Sequence, residues 1–183
     1  MADQQEITAT DKAWLAGVIE GDGSIGMGFH QQHDRKKNGS RAFAVKPAIT
    51  FANQDMKLIE RVAFLLESIT GKVPRIKEER SNYPNGRGCV QLYLTGMQAV
   101  DEVLRALLPY FVGDKLSKAR LLQRFTASRL NGAFGKGIKG IAEYSNDELV
   151  IIKTFYEVTA PRKGGKRNPV IGEILRDFMC APG

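Results

Sequence analysis

The chain has 183 residues, enough for one domain with a real core, and its 43% hydrophobic and 26% charged residues are ordinary for a soluble globular protein. The net charge of +7 is uneven: Asp3, Glu6, Asp11, Glu20 and Asp22 against Lys12 give the first 22 residues −4 and leave +11 for the rest, a basic body that suits a polyanion such as nucleic acid, or else a well-solvated surface. No apolar run is long enough to span a membrane, and MADQQEITATD resembles neither a signal nor a transit peptide. The only cysteines, Cys89 and Cys180, lack metal-ligand spacing and fit a reducing intracellular compartment.

In chain order, Thr8 and Asp11 are spaced as a capping box, and the apolar or small residues Ala13 to Ile19 predict a short buried helix. Ile25, Met27 and Phe29 then alternate with Ser24, Gly26, Gly28, His30 and Gln32, which predicts a strand with one covered face. After a polar turn, DRKKNGSR, the alternation resumes with Phe43, Val45, Pro47, Ile49 and Phe51 opposite Lys46, Ala48 and Thr50. The pair is a hairpin whose second face is polar and basic. Helical spacing follows from Asp55 to Thr70, stopped by Gly71. A second hairpin is expected from Lys72 to Arg80 and around Val90, Leu92 and Leu94, joined by SNYPNGRG.

The remainder reads as helical: one helix over Met97, Val100, Leu104, Leu107 and Leu108 up to Pro109, and another from Lys115 to Leu130 with Leu116, Ala119, Leu122 and Phe125 inside. The glycine-rich NGAFGKGIKG separates these from a helix opened by Ser145 and Glu148 and running to about Thr159. A basic link, PRKGGKR, leads to a last short helix starting at Asn168 and Pro169 and ending near Met179. Residues 1–130 form the core and 131–183 a helical extension of the same domain.

Three motifs are set aside. GKGIKG matches a dinucleotide fingerprint, but no strand precedes it and no acid-bearing strand follows. Asn38-Gly39-Ser40 is a glycosylation acceptor only in a secreted chain, and here reads as a hairpin tip. His30 and His33, the only histidines, fall on opposite faces of a strand, which argues against zinc.

The first helix carries the most specific pattern. Ala13, Ala16, Gly17, Glu20 and Gly21 share one face, while Trp14, Leu15, Val18 and Ile19 cover the other. A face so small lets a second helix approach until backbones nearly touch. Gly17 and Gly21 each cost roughly 1 kcal/mol against Ala inside a helix, so their presence points to a need for close approach. Two such helices from two copies would bring their acids together, an arrangement that calls for cations between them.

Leu15-Ala16-Gly17-Val18-Ile19-Glu20-Gly21-Asp22-Gly23 resembles the signature of the LAGLIDADG homing endonucleases, with Val18 for Leu, Glu20 for the first Asp and Gly21 for Ala. The element order over residues 10–130 is similar to that family's as well. The resemblance implies an α+β fold of αββαββα type, with a four-stranded antiparallel saddle per subunit that grips DNA. A single motif implies the homodimeric branch, whose motif helices pack at the symmetry axis, here through Ala13, Ala16, Gly17, Glu20 and Gly21.

Carried over by position, the resemblance makes Asp22 the principal ligand of Mg²⁺, for which Mn²⁺ can substitute, and Gly21 a ligand through its carbonyl. Glu20 takes a supporting or helix-end role. Gln54 matches a glutamine that orients the nucleophilic water, although it lies one residue nearer the strand. Lys115 matches a lysine over the scissile phosphate, and Lys57 a further basic residue of that pocket. The plainer readings are a polar helix-start residue for Gln54 and a solvated helix face for Lys115.

On a DNA-binding saddle, the face opposite the core residues meets the major groove, where a β-ribbon fits and Arg, Lys and Gln read base edges. That nominates His30, Gln32, Lys46 and Thr50 in the first hairpin and Arg75, Lys77, Gln91 and Tyr93 in the second. Arg35, Lys37, Arg41, Arg80 and Arg87 reach in from loops, and Lys118, Arg120, Arg124, Lys136 and Lys139 touch phosphates. The alternative is a sheet face that is merely solvated. The reading that emerges is a homodimeric, Mg²⁺-dependent endonuclease on a long, near-palindromic double-stranded DNA site, without a membrane or small-molecule cofactor. By the resemblance it cuts across the minor groove and leaves short 3′ overhangs. The alternative is a binder of the same fold that does not cut, such as an intron RNA maturase or a DNA-binding regulator.

Overall fold

The computed structural model describes residues 7–32, 42–79, 88–132 and 144–158, together with residues 172, 175 and 176. The elements are α1 (Ala9–Asp22), β1 (Gly23–Gln32), β2 (Ala42–Asn53), α2 (Met56–Thr70), β3 (Arg75–Glu79), β4 (Cys89–Thr95), α3 (Met97–Leu107), a 3₁₀ turn (Leu108–Tyr110), α4 (Lys115–Asn131) and α5 (Asn146–Val158). This is the expected αββαββα order followed by two further helices, α4 and α5. The turn over 34–41, most of the loop over 81–88, most of the glycine-rich stretch, the basic link and most of the last helix lie outside the described residues.

Local chemistry accounts for the boundaries. Thr8 and Asp11 close the capping box on each other, with the Asp11 N–H 3.1 Å from Thr8 Oγ1 and the Thr8 N–H 3.3 Å from Asp11 Oδ2. Asp55 caps α2, and Gly71 ends it in the left-handed conformation (φ 63°) that glycine adopts without penalty. α1 runs to Asp22, so Glu20 and Asp22 occupy its last turn. The strand starts at once. A Cβ on Gly23 would stand 2.8 Å from Ile19 Cα and O, so the join admits glycine alone.

The sheet is antiparallel with strand order β1-β2-β4-β3. Ile25, Met27, Val45, Ile49, Phe51, Leu92 and Leu94 point to one side and are buried beneath the helices. The opposite side carries rows set by the register: Ser24, Thr50, Tyr93 and Arg75 in one, Ala52, Gln91 and Lys77 in the next.

Buried polar groups lock the helices. Asp101, with no exposed surface, accepts from Arg105 Nε (2.7 Å) and Thr126 Oγ1 (2.7 Å), tying α3 to α4. Glu148 accepts from Ser128 Oγ (2.8 Å) and the Ser145 N–H (2.9 Å), tying α5 to α4. Leu149, Ile151, Ile152 and Phe155 of α5 join the core. Tyr156 meets Phe29 of β1 edge-on at 5.5 Å, and Tyr144 Oη accepts from the Val45 N–H at 3.2 Å. The extension is thus a brace beneath the first hairpin. No helix among the described residues is long and apolar enough to cross a membrane.

One expectation about α1 needs correction. Ala16 does not face outward: it has no exposed surface and packs with Leu15 and Ile19 in its own chain's core. The helix is inserted more deeply than its small residues imply, because Ala16 fits where bulk would not. The face that remains open is the line Ala13, Gly17 and Gly21, all exposed.

Candidate active site and nucleic-acid face

The end of α1 meets the start of α4 in a reciprocal contact. α4 has no side-chain cap of its own from Asp114. Instead Glu20 supplies one from α1: its carboxylate accepts the N–H groups of Val112 (3.0 Å), Gly113 (3.0 Å) and Lys115 (3.3 Å). In return the Lys115 ammonium donates to the carbonyls of Ile19 (2.9 Å), Glu20 and Gly21 (3.4 Å) at the end of α1, where the Ile19 carbonyl also accepts the Gly23 N–H. Each charge sits at the helix end whose dipole it complements. Gly113 is part of the device, since a Cβ there would come within 2.7 Å of Glu20 Oε1. Glu20 is therefore a helix-end anchor within its own chain.

Lys115 is held below the usual lysine range mainly by burial. The Glu20 charge opposes that shift, Lys118 adds to it, and Asp22 opposes it. An amine on the carbonyls of residues 19 to 21 and sensing Asp22 belongs to the same corner as the acid.

Asp22 itself is exposed, and its Oδ2 accepts from Asn53 Nδ2 at 3.3 Å. Asn53 is fixed from its other side, because its Oδ1 accepts the Asp55 N–H at 2.9 Å, which points the amide NH₂ at Asp22. Sequence reasoning passed over Asn53. The signal was the pairing of Gly23 with Phe51, which brings the end of β2 beside the end of α1. Gln54 lies at the exposed bend after β2 and Lys57 on the exposed first turn of α2.

On the sheet's outer face, Lys46, Arg75 and Lys77 are exposed, while Thr50, Gln91 and Tyr93 are half-buried and Tyr93 Oη donates to Gln91 Oε1. Arg120 and Arg124 are exposed on α4, and Lys118 is half-buried there. His30 and Gln32 have their backbones in β1, paired with Ala44 and Ala42, but their side chains lie outside the described part of the chain. Arg35, Lys37, Arg41, Arg80, Arg87, Lys136 and Lys139 lie outside the described residues altogether.

The corner's donors are hard oxygens: a solvent-facing carboxylate on Asp22 and the Gly21 carbonyl beside it. That chemistry fits a small divalent cation, which takes few protein ligands and keeps several waters. Among the described residues no three His, Cys, Asp or Glu side chains converge.

No family model and no curated protein matches the sequence. Solved structures do match. The chain aligns over 95% of its length with 78% of the group I intron-encoded homing endonuclease I-CeuI complexed with DNA, at 15% identity and a TM-score of 0.64. For the archaeal intron-encoded homing endonuclease I-Vdi141I complexed with DNA, the figures are 94% and 98% of the two chains, 16% identity and 0.61. For the homing endonuclease I-CvuI in complex with its target they are 96% and 100%, 17% and 0.58. The fold is that of the LAGLIDADG homing endonucleases.

Proposed function

We propose that the chain is a divalent-metal-dependent, site-specific double-strand DNA endonuclease that works as a homodimer. The observation that carries this reading is the corner itself: an exposed acid, Asp22, beside a lysine ammonium, at the start of a sheet whose outer face bears Arg75, Lys77 and Lys46. The fold shared with DNA-bound homing endonucleases supports it.

Asp22 and the Gly21 carbonyl would hold Mg²⁺ or Mn²⁺. Bound there, the cation supplies charge to offset the phosphate and acidifies a water at neutral pH. Asn53 holds the Asp22 carboxylate by one oxygen and leaves the other available. Lys115 brings positive charge to the scissile phosphate, and Gln54, exposed at the neighbouring bend, orients the attacking water. Dimerisation is supported by α1: nothing lies within 4 Å of a Cβ built at Gly17 or Gly21, so the fold of one chain leaves that room unused. Val112, 88% exposed, stands beside the same helix end. Two corners brought together there would act on the two strands of a near-palindromic site.

A binder that does not cut remains the second reading, and one contact favours it: the Lys115 ammonium already serves as a cap on α1. A supercoiled plasmid carrying the DNA that flanks this reading frame, joined without it, decides between the two. The endonuclease linearises it with Mg²⁺, fails in excess chelator, and fails as Asp22→Asn while still binding. Tight binding by the native protein with no Mg²⁺-dependent cutting leaves only the binder.

A further inference from the structure

Asn53 stands where the strand pattern calls for an apolar side chain. Val45, Ile49 and Phe51 of β2 are buried on the side of the sheet that faces the helices, and Asn53 is the next position of that series, half-buried and paired in register with Val90 of β4. Both ends of its amide are engaged. The Oδ1 accepts the Asp55 N–H at 2.9 Å, and the Nδ2 donates to Asp22 Oδ2 at 3.3 Å.

The turn into α2 explains only the first of these contacts. Accepting the N–H two residues on is a task that Asp or Ser performs as well as Asn does. Asp would set a second negative charge against Asp22, and Ser carries its donor and acceptor on one short atom. The amide alone offers a donor on a separate atom turned the other way. Its orientation is fixed in turn by α2, because Asp55 is held at the helix start by accepting the Lys57 N–H at 2.9 Å.

The two oxygens of Asp22 are therefore unequal, since Oδ2 carries an amide hydrogen and Oδ1 is left for other partners. Cations differ in how they use a carboxylate. Ca²⁺ gathers about six to eight oxygens and takes carboxylates by both oxygens, whereas Mg²⁺ keeps a near-octahedral shell with several waters and is bound through one or two carboxylates. We propose that Asn53 is a positioning residue that sets the cation preference of the corner: by holding Asp22 Oδ2 it presents the carboxylate through one oxygen, which suits Mg²⁺ or Mn²⁺ and leaves Ca²⁺ short of a ligand. This rests on the reading of Asp22 as a metal ligand given above.

The test follows the electron paramagnetic resonance signal of free Mn²⁺ over the full chain, with Asp22→Asn as the blank and Mg²⁺ or Ca²⁺ added as competitor. The native protein is expected to bind Mn²⁺ that the blank does not, and to release it to Mg²⁺ at concentrations about tenfold lower than to Ca²⁺. Asn53→Ser keeps an acceptor for the Asp55 N–H and loses the amide donor. It is expected to keep the native Tm and to bring the two competitor concentrations together, a change in their ratio on the order of tenfold. A native ratio near one, or an Asn53→Ser ratio equal to the native one, overturns the proposal. Should the Tm of Asn53→Ser fall, Asn53→Thr, with the same hydroxyl on a side chain that strands favour, decides on the same ratio. Mn²⁺ binding no greater in the native protein than in Asp22→Asn overturns the reading of Asp22 as a ligand and this proposal with it, an outcome distinct from one confined to the Asn53 variants.

Discussion

At the corner between α1 and α4, Glu20 engages three backbone N–H groups and Lys115 three carbonyls, so the two helix ends are tied together from both sides. On the outer face of the sheet, Arg75, Lys77 and Lys46 extend into solvent, and at Gly26 and Gly28 of β1 there is no side chain to place. Chemistry at a phosphate depends on position to a fraction of an ångström, whereas recognition of a long duplex is spread over many modest contacts. The two regions should therefore answer mutation differently, the corner in rate and the sheet in affinity and preference.

The largest break in that contrast comes at Asp22. Asp22→Asn should lower Mg²⁺-dependent cutting by at least about a thousandfold through loss of the carboxylate ligand, with DNA affinity measured by gel shift nearly unchanged. Next is the reciprocal cap, approached from either side. Glu20→Gln places an NH₂ among three N–H donors, and Gly113→Ala pushes a methyl against Glu20 Oε1. Each should slow single-turnover cutting by on the order of tenfold to a hundredfold through misplacement of the corner and lower stability by about 2 kcal/mol. The Mg²⁺ concentration for half-maximal rate should stay at its native value in both. A shifted Mg²⁺ requirement in Glu20→Gln alone would make Glu20 a ligand rather than an anchor.

On the sheet side, Arg75→Ala and Lys77→Ala should leave the single-turnover rate at saturation intact and weaken binding. A phosphate contact would lose about one unit of salt slope, and a base contact would relax preference at one position by about 1–3 kcal/mol. The smallest effect belongs to neither region. Thr8→Ala removes the α1 cap and should cost about 1 kcal/mol in thermal or denaturant unfolding without changing cutting or binding. Asp11, held below the usual carboxylate range chiefly by the Thr8 hydroxyl, makes that support pH-dependent. A carboxyl whose pKa is depressed by folding stabilises above its unfolded value of 3.8, and the stabilisation fades as the pH falls through the folded one. The stability difference between the native and Thr8→Ala proteins should therefore narrow in acid, leaving the part that the Thr8 hydroxyl contributes by accepting the Asp11 N–H.

Features set by neighbouring residues could be read from the chain. The Thr8 and Asp11 box, the Asp55 start and Gly71 stop of α2, and the alternation of Ile25, Met27, Ile49, Phe51, Leu92 and Leu94 all depend on contacts or periods a few residues long. Long-range choices could not. Glu20 finds its partners 92 to 95 residues away, and no local pattern distinguishes that use from a carboxylate facing a twin helix. Ala16 looks the same in sequence whether it admits a second helix or fills a tight gap in its own core; only the depth at which α1 is inserted decides. Asn53 was hidden beside Gln54 because the contact with Asp22 follows from where β2 ends relative to α1, which strand register determines.

The hydroxyl of Tyr144 has a consequence for the molecule's behaviour in a crowded solution. Among the described residues β2 pairs with β4 from Ala48 onward, its first half borders a sheet edge, and the Val45 N–H there is taken by Tyr144. An unpaired edge donor is an invitation for another chain to add a strand and begin aggregation. By occupying it, the segment leading into α5 makes the hairpin self-limiting, and a sheet that presents one broad face for binding gains some protection against being extended sideways by its own copies.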